Sequence, residues 1–204
     1  MSNLVVRPHA RENAEFVHGF DERLSELWTV ARKFCLLANL GTQTGMLVPP
    51  ATIYGTMTAV MYRLLRMDFA QCSLNETVRL GLLAFTYHIF LQWQDVRLPH
   101  HHFSETYRHH LLCADLEKIV PSRVLLWLLM TGVISLFRIS EEPWLARLLL
   151  KHFEECRVSK WEELQDILKS SMWIPLLDEK QGKQSYELVA GPCALIPSKP
   201  AAAI

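Results

Sequence analysis

The densest run of chemically capable side chains is LPHHHFSETYRHHLLC, which carries His100, His101, His102, His109, His110 and Cys113. Imidazole nitrogens and thiolates are the usual ligands of zinc, and a site takes three or four of them. On a helix His109 and Cys113 stand four residues apart and share a face, which supplies half of a site. His102 is the further ligand the segment offers, so a metal reading rests on His102, His109 and Cys113. No carboxylate is placed to orient these ligands, and consecutive histidines after Pro99 suit an exposed loop. The segment alone therefore implies no resident metal and no other cofactor.

Catalysis finds no better footing. His110 and Cys113 offer a thiol with a neighbouring base, but no third group orients the pair and no oxyanion loop is visible. Asp95 beside Arg97 reads as a solvated ion pair, and Glu141–Glu142 as acids favouring a helix start. The glycines are isolated and form neither of the phosphate-cradling patterns; Gly182–Lys183 sits in a polar turn. No catalytic residue is assigned, and the expectation is a protein that is not an enzyme.

Bulk properties narrow the classes further. Half of the 204 residues are hydrophobic and 21% are charged, enough apolar content for one folded core. Lys plus Arg balances Asp plus Glu at 21 each, whereas proteins that hold phosphate backbones carry a basic excess. Cys35, Cys72, Cys113, Cys156 and Cys193 are odd in number and widely spaced, with no CxxC pair. They read as small hydrophobes in a reducing compartment, with no disulfide framework. The start of the chain lacks a signal-peptide pattern. The uncharged run at 124–137 has fourteen residues, short of the ~20 that a membrane span needs, and reads as a buried core helix.

The elements that must position these residues are helices. Leu24, Leu27, Trp28, Ala31, Phe34, Cys35 and Ala38 form an apolar stripe, with Gly41 closing the helix. Pro49–Pro50 opens a second stripe of Ile53, Met57, Val60, Met61 and Leu64. Ser73 and Glu76 make a capping box for a central helix running to about Trp93. A loop at Pro99 and the histidines leads to a helix over roughly 104–118, and Pro121–Ser122 opens the apolar run. Ser140–Pro143 starts a helix that turns Trp144, Leu145, Leu148 and Leu149 inward. Ser159 and Glu162 form another capping box, and a last helix spans about 173–189. The six tryptophans and the methionines Met57, Met61, Met67 and Met130 read as core. No segment alternates in the manner of a strand. The expected fold is all-α: a single-domain irregular bundle of about seven to eight helices over 21–190. Residues 1–20 are expected as a poorly ordered segment or short helix, and 191–204 as a flexible tail.

Four strings in series are more specific than periodicity. They are RLGLLAFTYHIFLQWQDVRL at 79–98 (with Pro99, Phe103 and Tyr107 following), VPSRVLLWLLMTGVISLF at 120–137, EEPWL at 141–145, and SKWEELQDILKSSMWI at 159–174. Their order and spacing resemble the helical regulatory region of fungal-specific transcription factors, over roughly 24–189. That region ordinarily follows a zinc binuclear cluster of six cysteines, which carries DNA contact; this sequence contains no clustered cysteines. The resemblance implies a nuclear regulatory domain without its DNA-binding module, acting through protein partners (the transcriptional machinery or a second copy) or a small-molecule effector. It implies no direct nucleic-acid contact and no membrane. The working surface would be apolar residues left exposed on the bundle, or a pocket near Trp93 and Trp127. The competing expectation is a helical small-molecule- or metal-binding protein, with or without enzymatic activity, using the His100–Cys113 segment.

Overall fold

The computed structural model describes residues 16, 17, 19–46, 48–92, 101–113 and 115–191. Among them are nine α-helices and no strand, so the fold is an all-α helical bundle. In order they are α1 (Glu22–Thr44), α2 (Pro50–Leu65), α3 (Leu74–Gln92), α4 (His101–Leu111) and α5 (Leu116–Ile119). Then follow α6 (Ser122–Ser135), α7 (Pro143–Glu155), α8 (Trp161–Ser171) and α9 (Pro175–Ala190), with one 3-10 turn at Ile139–Glu141.

Helix α6 is the hub. Every residue from Val124 to Ile134 is buried, because the helix presents no polar face to water. It packs against α3, α4, α7, α8 and α9. Each large side chain it buries contributes ~1.5–3 kcal/mol from removal of apolar surface. Two of its polar groups find partners outside the helix: Trp127 Nε1 donates to the Met172 carbonyl at 2.8 Å, and the Leu128 carbonyl accepts from Tyr107 Oη at 2.9 Å. The ring of Trp127 meets Trp28 edge-on at 4.9 Å, which joins α1 to the same centre. At fourteen residues α6 is about 21 Å long, well short of a ~30 Å hydrocarbon core. Among the described residues, no helix is long and apolar enough to cross a membrane.

The structure moves several boundaries. Gly41 lies inside α1, because the helix continues to Thr44 and ends at Gly45, whose φ of 70° is left-handed. Gly41 is needed there for room: a Cβ would fall 2.5 Å from the Met46 carbonyl oxygen as the chain folds back. At α3, Ser73 Oγ accepts from Glu76 N, but Glu76 pairs with Arg79 instead of returning to Ser73, so the box is half made. At α8 the carboxylate that caps is Glu163 rather than Glu162; its Oε2 accepts from the Ser159 and Lys160 amides. His101 and His102 belong to α4 rather than to a loop, though both stay exposed.

Five tryptophans (Trp28, Trp127, Trp144, Trp161 and Trp173) are buried in the core, as are Met57, Met67 and Met130, while Met61 is partly buried against it. Trp93 lies outside the described residues. Phe16 and Phe20 also pack together, with ring centroids 4.8 Å apart, and Phe20 is buried, so core contact begins ahead of residue 21. Residues 1–15 and the tail from 192 onward lie outside the described residues.

Close packing at α3 makes a signed prediction. A Cβ on Gly81 would lie 2.4 Å from Leu128 Cδ2 and 3.2 Å from Tyr107 Oη. Gly81→Ala should therefore lower the urea-unfolding free energy by roughly 1–3 kcal/mol, although alanine favours helix. Exposed Gly55 on α2 has no atom within 4 Å of that position. There the same change should raise stability by about 0.5–1 kcal/mol.

Candidate functional site

Helix α4 is held to the bundle by one face. Tyr107 is fully buried, and His110 is buried with its Nδ1 3.4 Å from Thr77 Oγ1 on α3. That registration leaves His109, the next residue back, on the exposed side. Cys113 follows the helix end, where its amide donates to the His110 carbonyl at 3.3 Å.

The third participant comes from the α2–α3 connection. Arg79 binds Glu76 through both groups of its fork and sends Nη1 to the Leu64 carbonyl at 3.2 Å, closing the end of α2. The connection then turns through Cys72, whose φ of 57° is left-handed, an uncommon backbone state for a residue with a Cβ. Cys72 is thereby set beside α4. Its Sγ lies 3.6 Å from His109 Nε2, and Gln71 Nε2 lies 3.2 Å from the same nitrogen. Cys72 and Cys113 are joined as a disulfide with Cα atoms 6.1 Å apart, a usual span for such a bond.

Two expectations are corrected here. The cysteines are not all isolated thiols: a bond joins Cys72 to Cys113 across 41 residues, which the absence of short spacings could not reveal. Cys35 is a buried free thiol, and Cys193 lies outside the described residues. Of the metal triad His102, His109 and Cys113, the structure brings together the last two. His102 is on the first turn of α4 and is exposed; Cys72 takes its place, so that Cys72, His109 and Cys113 have donor atoms within 4.8 Å of one another. His100, Asp95 and Arg97 lie outside the described residues. The His110–Cys113 pairing does not form, since His110 turns to Thr77 and the sulfur is bonded to Cys72. Glu142 accepts from Trp144 Nε1 and faces Arg108, while Glu141 pairs with Arg138.

A second polar centre, with no motif in the sequence, lies in the core. His88 Nε2 on α3 is 2.9 Å from Asp178 Oδ1 on α9, and Asp178 Oδ2 accepts from the Ile174 amide at 2.8 Å. Both side chains are buried. Burial first, and the Asp178 carboxylate second, push the nearby Cys35 thiol well up, which keeps it protonated. Beside this centre is a cleft of about 70 Å³ lined by Phe34, Ala38, Ile53, Ile89, Ile174 and Leu177 among others. It is apolar and far below the ~300–1,000 Å³ of ordinary ligand pockets. Trp127, expected beside a pocket, is fully enclosed.

Comparison with known proteins adds no relative: no protein-family model matches the chain, and no curated protein or solved structure does either.

Removing the Asp178 carboxyl leaves two buried donors unpartnered. Asp178→Ala should cost about 3–5 kcal/mol by denaturant unfolding, the range for breaking a buried pair. His110 gives the pH dependence. Desolvation lowers its pKa from the usual 6.5; Glu76 opposes this, and His109 and Arg79 add to it. Protonation therefore favours the unfolded chain. Stability from this residue is complete above pH ~6.5 and declines as pH falls below that value. Unfolding free energies measured from neutral to mildly acidic pH should fall less steeply in His110→Gln than in the parent.

Proposed function

We propose that this chain is a regulatory interaction module of the fungal transcription-factor type, working in the nucleus through protein contacts and lacking DNA-binding apparatus of its own. The four resembling strings support this reading through their placement. Residues 79–92 of the first string lie on α3, with 93–98 outside the described residues; the others lie on α6 and its flanks, at the start of α7, and on α8 with the residues that follow it. These are the helices around the central core.

The observation that carries the interaction reading is the outer face of α1. Leu36, Leu37 and Leu40 are 56%, 58% and 54% exposed, and they are joined by Met46 just beyond the helix. Tyr62 and Leu65 stand exposed in the same way on α2. Leu112, Leu176 and Leu188 are exposed elsewhere on the bundle, but α1 and its end carry four such side chains, and apolar surface of this kind suits a partner. The balanced net charge is consistent with a module that does not grip phosphate backbones. A second reading, a metal- or small-molecule-binding protein, is favoured by the arrival of Cys72 beside His109 and Cys113.

Tethering the full chain to an unrelated DNA-binding domain tests the first reading. Reporter transcription should change, and the change should vanish in Leu37→Glu/Leu40→Glu, whose folding is checked by circular dichroism. In gel-shift assays the untethered chain should form no sequence-specific complex. A reporter that does not respond, or a tight specific DNA complex, defeats the proposal.

A further inference from the structure

We infer that Cys72, His109 and Cys113, in the dithiol form of the protein, are the protein ligands of a zinc-type metal site whose fourth position is open to solvent. This goes beyond the regulatory reading and does not depend on it. Two thiolates and one imidazole are a ligand set that zinc accepts with a water or exchangeable group in the fourth place. The donor atoms come from two separate segments, the α2–α3 connection and the end of α4, yet lie within 4.8 Å of one another.

One edge of the ligand set already has the spacing that an ion imposes. Zinc–sulfur and zinc–nitrogen bonds of about 2.3 and 2.0–2.1 Å at tetrahedral angles separate sulfur from nitrogen by about 3.6 Å. Cys72 Sγ already stands 3.6 Å from His109 Nε2. Gln71 aims its amide nitrogen at that same Nε2 from 3.2 Å. A donor there selects the imidazole tautomer with its proton on Nδ1, and an ion takes up the Nε2 lone pair by displacing the Gln71 amide. Access is open, with His109 exposed and both cysteines only partly buried.

The metal and the disulfide exclude each other. A dithiol reductant delivers two electrons and two protons to Cys72 and Cys113 and leaves as its own disulfide. A divalent ion then displaces one proton from each thiol, and His109 contributes its lone pair without proton release. The bound site carries no net charge, as a divalent cation meets two thiolates. Acid weakens binding because protons compete for all three ligands.

The test uses the full chain, reduced with a phosphine, stripped with a chelator and titrated anaerobically with cobalt(II) and then zinc(II). One cobalt per chain is expected, with sulfur-to-cobalt charge transfer in the near ultraviolet and tetrahedral bands in the visible. Zinc should bleach both sets of bands. Stoichiometric binding should disappear in Cys72→Ser, Cys113→Ser and His109→Ala. It should persist in His102→Ala, and return in His109→Cys with stronger charge transfer. Alkylating both thiols of the reduced, folded parent must abolish binding too, which separates loss of a ligand from loss of fold. The proposal is overturned by a reduced parent that takes up no stoichiometric cobalt. It is equally overturned by binding that survives alkylation or either serine variant, or that requires His102.

Discussion

Everything in this bundle follows from one helix that has no side fit for water. With Val124 through Ile134 buried in succession, α6 can exist only where other helices enclose it, and five of them do. Two polar groups at this centre are answered individually, the Trp127 indole by the Met172 carbonyl and the Leu128 carbonyl by Tyr107. An indole N–H left without a partner there would carry the full cost of its desolvation. These two bonds also set how α4 and the segment after α8 lie against the hub. Local sequence makes the helices; the demand of α6 for cover makes the bundle.

The same constraint explains how α4 comes to hold chemistry. Once Tyr107 and His110 are fixed against α3 and α6, the helix has no rotational freedom, and His109 must face outward next to the α2–α3 connection. The Arg79–Glu76 pair and the bond from Arg79 to the Leu64 carbonyl tie that connection down at the other side. Cys72 is thus positioned by contacts that have nothing to do with sulfur.

How much of this was readable in advance depends on the range of each interaction. The helices of the apolar stripes were legible because the 3.6-residue period is a local signal, and α2, α3 and α6 begin where Pro50, Ser73 and Pro121 say they should. Gly41 misled because it resembles a terminator in type; its real reason is the return of the chain at Met46, which is a tertiary fact. Glu163 replaced Glu162 because the helix starts one residue later than the capping pattern implies. At the candidate site, His109 and Cys113 were visible as an i, i+4 pair, whereas Cys72 is separated from Cys113 by 41 residues and no spacing rule reaches it. The His88–Asp178 pair, 90 residues apart, had no signal at all.

These long separations have a consequence for how the protein is made. The Trp127 indole waits for a carbonyl 45 residues downstream, His88 waits for Asp178, and Asn39 donates to the carbonyl of Trp173, 134 residues later. At ~5–20 residues per second, a ribosome finishes α6 several seconds before it supplies Met172. During that interval α6 can be covered by α3 and α4 but not yet by α7, α8 and α9, and the partial product is a ready client for a holding chaperone. Nascent chains arrested shortly after α6 would therefore expose the side of that helix that α7, α8 and α9 cover. The bundle is closed last by its C-terminal helices, which complete the cover that α3 and α4 begin.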